Sequence, residues 1–365
     1  MAEVVISLMR IVVKIGTQSL LSPDKTLDHD MVRRLADQVF LLRRRGIGVV
    51  LVSSGAVGAG RALWRNNIRP HKIGDPVLEK QILAAIGQTS LIESYNAALS
   101  RHGMLAAQIL LTRHDFRHRR HGVNLGRMLE KLMTEPDSVP IVNENDSVAV
   151  EELVFTDNDE LAGLLAPHIG ADRLIILTDV DGVYDIAGAK KRVIPEIDFS
   201  KGGAAAVNTS LMTGDGRGGM ASKLETARKL ARAGIATHIA RARDADILVR
   251  IMEGEAVGTR IPASRRPKPV KRWLAAGVPD MRGRIVANAP LAAKLREKAQ
   301  ALSLLPVGIV SIATPFDQDD VVEIIDETGK RIGHGVARYD SKTLADYLGA
   351  QKKPVFIHYN ELHIE

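Results

Sequence analysis

The chain of 365 residues contains no cysteine. This absence excludes disulfide bonds, thiolate metal sites and a cysteine nucleophile. No stretch approaches the run of about 20 apolar residues that crosses a membrane, and residues 1–10 lack the charged start and long apolar core of a secretion signal. With 45% hydrophobic and 25% charged residues, the chain can bury a large core and form two domains. We therefore expect a cytoplasmic globular protein without membrane contact.

Two common signatures of ATP-binding enzymes are missing as well. No Gly-x-x-x-x-Gly-Lys-Ser/Thr sequence occurs, so the chain is not a P-loop enzyme. The His-Arg-Asp and Asp-Phe-Gly motifs of protein kinases are also absent. If the chain binds a nucleotide, it must do so with a different set of residues.

Positive charge is unevenly distributed along the chain. The net charge is +7, yet residues 276–365 contain 11 Lys and Arg against 12 Asp and Glu. Residues 262–272 carry five positive charges, three prolines and no acid, a composition typical of an extended linker. We therefore predict a first domain at 1–261, a basic linker at 262–275 and a second domain at 276–365.

The first 260 residues alternate between apolar runs and helical patterns. The predicted strands are 11–15, 47–52, 104–111, 139–142, 173–177 and 235–240. The predicted helices include 81–102, 161–169, 220–233 and one that lies between a capping Asp28 and Gly46. Alternating strands and helices with continuous Val, Ile and Leu runs predict an α/β fold with a mostly parallel sheet covered on both faces.

Polar residues follow four of the predicted strands directly. In parallel sheets, ligands bind beyond the carboxyl ends of the strands. Each cluster alone is typical of turns, because Ser, Asn, Asp and Gly favour loops for local reasons. Together they predict one crevice, lined by Lys14, Gly16 and Thr17, by Ser53 to Gly55, by Asn143 to Asp146, and by Thr178 and Asp179.

A glycine-rich stretch, Gly214 to Lys223, opens the predicted helix 220–233. Glycines let the backbone approach a ligand, and the free N–H groups of a helix start suit a phosphate. Lys223 lies about one turn into the helix, where its side chain leans back toward the same place. The stretch therefore predicts a phosphate site.

A phosphate site beside a polar crevice favours phosphoryl transfer. This chemistry needs cations around the moving group and positioned donors and carboxylates. Lys14 and Lys223 are the candidate cations. One acid of the run Asp157 to Glu160 is expected to cap a helix, whereas Asp159 and Asp146 are candidates to orient the lysines or to hold Mg²⁺ through water.

Seven short motifs in the first domain resemble the amino acid kinase family, in particular its members that phosphorylate glutamate. They are Val12 to Thr17, Ser53 to Ala56, Gly87-Gln88, Leu111 to Arg113, Asn143 to Asp146, Asp157 to Asp159, and Thr178-Asp179. The tail resembles a PUA domain through Arg272-Trp273, Ser303 to Ile309 and Gly333 to Tyr339. The resemblance implies a three-layer α/β sandwich followed by a small, mainly β PUA-like domain.

The resemblance also implies an activity and a set of site residues. The reaction would convert ATP and L-glutamate to ADP and L-glutamyl 5-phosphate with Mg²⁺, the first step of proline biosynthesis. Lys14, Lys223 and Asp159 would be catalytic, and Ser54, Asp146 and Asn158 would bind glutamate, with Asp146 facing its α-ammonium group. The nucleotide would be bound by Lys14, Gly16, Gly55, Thr178, Asp179, Arg217, Gly218, Gly219, Met220, Ala221, Ser222 and Lys223. Proline would act as feedback inhibitor, and a homo-oligomer, dimer or tetramer, is expected.

One position departs from the pattern of the family. Arg217 stands in the glycine-rich stretch where threonine is usual, and Ser222 stands where threonine is common. Arginine can pair with two phosphate oxygens, or it can crowd a site built for a small hydroxyl group. The effect of Arg217 on ATP binding is left open.

Three other functions fit part of the pattern. Another member of the same family, an acetylglutamate or carbamate kinase, would share the crevice. A PUA domain often binds RNA, but the net charge of −1 over residues 276–365 argues against a phosphate-binding face. Gly214, Gly216 and Gly219 match a dinucleotide fingerprint, which should directly follow a strand, whereas residues 207–211 form a poor strand.

Overall fold

The structure is a computed structural model in which the chain forms two compact units, the first mainly from residues up to 266 and the second mainly from residues 267 onward. The residues described are 9–67, 74–117, 119–148, 157–185, 192–201, 219–264, 281–297 and 302–364. Among them, no helix combines the length and the apolar character needed to cross a membrane. The predicted linker 262–275 lies mostly outside this part of the chain, so the domain limits stay a prediction.

The first unit is built on a seven-stranded sheet in the order β3-β4-β2-β1-β5-β8-β9. All neighbouring strands are parallel except β8 and β9, which are antiparallel. A separate two-stranded ribbon pairs β6 with β7. The strands are β1 (Met9–Ile15), β2 (Ile47–Val52), β3 (Leu105–Leu111), β4 (Ser138–Glu144), β5 (Arg173–Thr178), β6 (Tyr184–Asp185), β7 (Arg192–Val193), β8 (Ala236–Arg241) and β9 (Thr259–Ile261).

Helices cover both faces of this sheet. Alternate residues of β1, such as Ile11 and Val13, share a core with α2, α4 and α9, while Val12 points to the opposite face and is also fully buried. The predicted α/β fold with a mostly parallel sheet is therefore confirmed. The helices are α1 (Thr17–Leu20), α2 (His29–Arg44), α3 (Ala56–Asn67), α4 (Pro76–Ser100), α5 (Arg113–Arg117), α6 (Arg119–Thr134), α7 (Asn158–His168), α8 (Met220–Arg232) and α9 (Ile247–Met252).

Aspartate side chains cap the starts of both α2 and α4. In α2, the Asp28 side chain accepts from the Met31 N–H, and Gly46 follows the helix with a φ of +73°, as predicted. In α4, the predicted start at residue 81 is wrong, because the helix begins at Pro76. Asp75 caps it by accepting from the next two backbone N–H groups, and proline is well suited to the first helical position.

Helices α3 and α4 cross at very short distance. A Cβ atom on Gly87 would lie 1.8 Å from the carbonyl oxygen of Ala56, and one on Gly60 would lie 1.8 Å from that of Leu83. Only glycine permits this approach at the two positions. The crossing holds α4 next to the turn that connects β2 to α3.

The second unit contains a five-stranded sheet in the order β11-β10-β12-β13-β14. Its neighbours are antiparallel except β10 and β12, and its core contains Phe316, Ile324 and Phe356. This confirms the predicted mainly β second domain. Its elements are β10 (Met281–Ala287), α10 (Ala289–Arg296), β11 (Ile309–Thr314), β12 (Val321–Asp326), β13 (Arg331–Val336), α11 (Ser341–Tyr347) and β14 (Leu362–Ile364).

Candidate active site

A cavity of about 440 Å³ lies at the carboxyl ends of four parallel strands of the first unit. Each strand contributes at least one polar residue to the wall: Lys14 from β1, Ser54 after β2, Asn143 from β4 and Thr178 from β5. The four predicted polar clusters therefore meet in one crevice. The topology explains this, since parallel strands place all their carboxyl ends at one edge of the sheet.

Most of the residues predicted to bind the nucleotide line the cavity or lie at the start of α8. Lys14, Gly16, Gly55, Thr178, Asp179 and Lys223 line the cavity. Gly219 is the N-terminal capping residue of α8, and Met220, Ala221 and Ser222 form its first turn. Arg217 and Gly218 lie outside the described residues.

Asp159 holds both predicted catalytic lysines. Its Oδ1 lies 2.7 Å from Lys14 Nζ, as an ion pair whose direction is poor for a hydrogen bond. Its Oδ2 accepts a hydrogen bond of 2.9 Å from Lys223 Nζ. Asp159 has no exposed surface, and the two lysines are almost fully buried. Lys14 and Lys223 also line the cavity, so their ammonium groups can meet an anionic ligand there.

Asp157 fixes the position of Asp159 in the first turn of α7. One oxygen of Asp157 accepts from the backbone N–H groups of Asp159 and Glu160, at 2.8 and 2.9 Å. Its other oxygen accepts from Ser222 Oγ at 2.6 Å. Asp157 is therefore the expected helix cap, and it also ties the start of α7 to the start of α8, where Lys223 lies.

Asn158 is the centre of a hydrogen-bond network at the predicted glutamate site. Its side-chain amide lies 2.8 Å from Ser54 Oγ, 2.7 Å from the Ser53 carbonyl oxygen and 2.9 Å from Asn143 Oδ1. Asn143 in turn donates to Gln88 Oε1 of α4 at 2.8 Å. The predicted pair Ser54 and Asn158 is thus brought together, and Asn143 and Gln88 are added to it.

The network continues into the core behind the crevice. Tyr95 of α4 is fully buried, and its hydroxyl group lies 3.0 Å from Ser53 Oγ. Burial raises the pKa of Tyr95 to about 12, so this residue stays a neutral hydrogen-bonding group. Gly55, which follows, has a φ of +98°, a conformation that side chains rarely adopt. The turn after β2 is therefore fixed both by the Tyr95 contact and by its glycine.

Asp146 has a cation partner that sequence reasoning missed. Lys80 Nζ donates to Asp146 Oδ1 at 2.6 Å, and both residues line the cavity. The expectation that Asp146 orients Lys14 or Lys223 is therefore wrong, because the ammonium groups of those lysines contact Asp159. The missed signal is the Asp75-Pro76 start of α4, which places Lys80 in the second turn of a helix that was predicted to begin after it.

Comparisons with known proteins support the fold. Residues 9–241 match the amino acid kinase family, and residues 283–355 match the PUA domain. A solved structure of carbamate kinase from Giardia lamblia, bound to AMP-PNP, has a TM-score of 0.51 and 19% identity, over 70% of this chain and 99% of that one. This likeness concerns the fold alone. The class is thus that of a kinase with the amino acid kinase fold and a PUA domain.

Curated relatives narrow the class. Glutamate 5-kinase of Chlorobaculum tepidum is 38% identical over 357 residues, which cover 97% of each chain. Glutamate 5-kinase of Bacteroides thetaiotaomicron is 38% identical over 361 residues, which cover 98% of each chain. The chain therefore belongs to the amino acid kinase family, among the glutamate 5-kinases with a PUA domain.

Proposed function

We propose that the protein transfers the γ-phosphoryl group of ATP to the side-chain carboxylate of L-glutamate, which yields L-glutamyl 5-phosphate and ADP. The observation that supports this most strongly is the buried group of Lys14, Asp159 and Lys223. Its net positive charge lies at the end of the parallel strands, where an anionic ligand is expected.

The reacting groups are both anions, which explains the need for two lysines. A glutamate carboxylate has an ordinary pKa near 4.3 and is ionised at neutral pH, so the attacking oxygen needs no base. That oxygen forms a bond to the γ-phosphorus, and the bond from this phosphorus to the bridging oxygen of ADP breaks. Lys14 and Lys223 would offset the charge on the phosphoryl oxygens, while Asp159 holds the two ammonium groups in place, one at each carboxylate oxygen.

Mg²⁺ is proposed as a companion of the nucleotide. Among the described residues, no group of three or more His, Asp or Glu side chains could hold a metal ion. Mg²⁺ prefers phosphate oxygens and water as ligands, so it would enter with the nucleotide, and no residue of this chain is assigned as a direct ligand. The bound ion would neutralise part of the phosphate charge.

The substrate would be distinguished by polar residues of the crevice other than the two lysines on Asp159. Ser54, Asn158 and Asp146 are proposed to bind glutamate. Proline as feedback inhibitor, a homo-oligomer and a cytoplasmic location stay predictions from the sequence and its resemblance.

An ADP-release assay across four acceptors tests the proposal. We expect ADP release that depends on L-glutamate and Mg²⁺, and little with N-acetylglutamate, aspartate or carbamate. Release that depends on one of these other acceptors and not on glutamate would assign the chain to a different activity of the same family. A micromolar affinity for NADH would instead support the dinucleotide fingerprint.

A further inference from the structure

The pair of Lys80 and Asp146 combines the two charges of an amino acid head group. Lys80 Nζ and Asp146 Oδ1 are 2.6 Å apart, and both side chains line the cavity that also holds Lys14 and Lys223. The Asp146 side chain is 12% exposed and that of Lys80 38% exposed. The pair is therefore more exposed than the side chains of Lys14 and Lys223, which are 6% and 8% exposed.

Lys80 is the lysine of the described cavity wall that is not paired with Asp159, so it is the candidate cation for the α-carboxylate of the substrate. Three lysines line the cavity in the described part of the chain, and two of them are held by Asp159. Lys80 is paired instead with Asp146, the acid that is proposed to face the α-ammonium group of glutamate. An α-ammonium and an α-carboxylate are bonded to the same carbon atom, so a side-chain carboxylate and a side-chain ammonium group in direct contact match them well.

We propose, on the basis of the glutamate kinase activity proposed above, that Lys80 binds the α-carboxylate of the substrate while Asp146 binds its α-ammonium group. The pair uses one oxygen of Asp146 and one N–H of Lys80 for its own contact. The second oxygen and two further N–H groups are left for the ligand. The pair thereby selects an α-amino acid: Lys80 disfavours a ligand without the α-carboxylate, and Asp146 one without the α-ammonium group.

The position of Lys80 is fixed by the helix that carries it. Asp75 caps the start of α4, and the contact of Gly87 with Ala56 holds α4 close to α3. Gln88 of the same helix accepts from Asn143 in the network around Asn158. One rigid helix therefore presents Lys80 to the head of the substrate and Gln88 to the amide network below it.

Substrate analogues that lack one charge test the assignment. L-glutamate α-amide keeps the ammonium group and the side-chain carboxylate but has a neutral α-carbonyl group, and glutarate lacks the ammonium group. With the natural chain, kcat/KM for glutamate should exceed that for the α-amide. Lys80→Met should lower kcat/KM for glutamate roughly 10- to 100-fold through KM, as the loss of a hydrogen bond between charged groups implies, and leave the α-amide nearly unaffected.

Controls separate this effect from a general loss. Lys131→Met removes an exposed lysine that pairs with Glu135 and should leave kcat/KM unchanged for both substrates. Lys80→Arg keeps the charge and should restore part of the discrimination between glutamate and its α-amide. Asp146→Asn should instead reduce the discrimination between glutamate and glutarate. If Lys80→Met does not fold, the double variant Lys80→Met/Asp146→Asn replaces it, because the double variant leaves no unpaired charge. Its kinetics are then compared with those of Asp146→Asn alone.

Three results would overturn the role of Lys80. An equal loss for glutamate and its α-amide would make Lys80 a structural residue, and a loss in kcat with unchanged KM would place it in phosphoryl transfer. Unchanged kinetics for both would remove it from the site. A natural chain that phosphorylates none of these compounds, but another acceptor, would contradict the proposed glutamate kinase activity itself, and the two failures are thus distinguishable.

Discussion

Two charged clusters lie in the same crevice and differ in burial and in charge. The lower cluster, Lys14, Asp159 and Lys223, is nearly closed to solvent and carries a net positive charge. The upper cluster, Lys80 and Asp146, is neutral and partly open. A buried excess of charge suits a transferring phosphoryl group, whereas an open neutral pair suits a ligand that bears both charges. Under the proposed function, the lower cluster would act in the chemical step and the upper cluster in substrate recognition.

The largest expected effect comes from the lower cluster. Lys14→Ala and Lys223→Ala should each lower kcat by about 10²-fold or more, because each removes a charge matched to the transition state. The KM for glutamate should change much less. Steady-state kinetics with thermal melting as a check on folding measure this, and Lys131→Ala, at an exposed site, serves as control. Near-normal kcat in either variant would remove that lysine from the mechanism.

Substitution in the upper cluster should change the KM for glutamate more than kcat, the reverse of the effect expected in the lower cluster. Asp146→Asn should raise the KM for glutamate roughly 10- to 100-fold, as the loss of a charged hydrogen bond implies, with a smaller change in kcat and none in the KM for ATP. Asp37→Asn, at a surface acid that contacts His102, is the matched control. A fall in kcat with a constant KM for glutamate would erase the distinction between the clusters.

A smaller effect should follow from disturbing α4, the helix that carries Lys80 of the upper cluster. Gly87→Ala places a methyl group against the Ala56 carbonyl oxygen, and such overpacking costs about 1–3 kcal/mol of unfolding free energy. Because α4 carries Lys80 and not the lower cluster, the KM for glutamate should rise more than kcat falls. Gly74→Ala, where a Cβ atom would meet nothing within 4 Å, is the control for denaturant unfolding and kinetics. Equal stability of the two variants would contradict the close helix crossing.

The smallest effect is expected from removing the second domain. Both clusters end at residue 223, and the match to the amino acid kinase family ends at residue 241. A chain that ends at Lys271 should therefore keep kcat within a few-fold of the natural chain, since a separate unit of this size forms its own core. A folded but inactive truncated chain would place part of the active site after residue 271. RNA binding by the second domain is expected to be weak at most and to fall steeply with salt.

The sequence predicted the lower cluster better than the upper one. Lys14 and Asp159 follow from a buried strand end and a helix start, which are local patterns, and parallel topology then brings them together. Lys80 and Asp146 are 66 residues apart, and no local pattern relates them. The start of α4 was predicted at residue 81, although Asp75-Pro76 is a recognisable capping signal. With that start, Lys80 is part of a helix, but only the close crossing at Gly87 places it at the crevice.

The arrangement around Asp159 has a consequence for proton transfer during the reaction. Both oxygens of this carboxylate are occupied by lysines, and the attacking carboxylate arrives already ionised. No proton therefore needs to be transferred when the phosphorus–oxygen bonds change. In deuterium oxide, the rate of the chemical step, measured in a single turnover, should remain close to its value in ordinary water. An enzyme of this class would then differ from kinases that act on hydroxyl groups, whose acceptor must lose a proton.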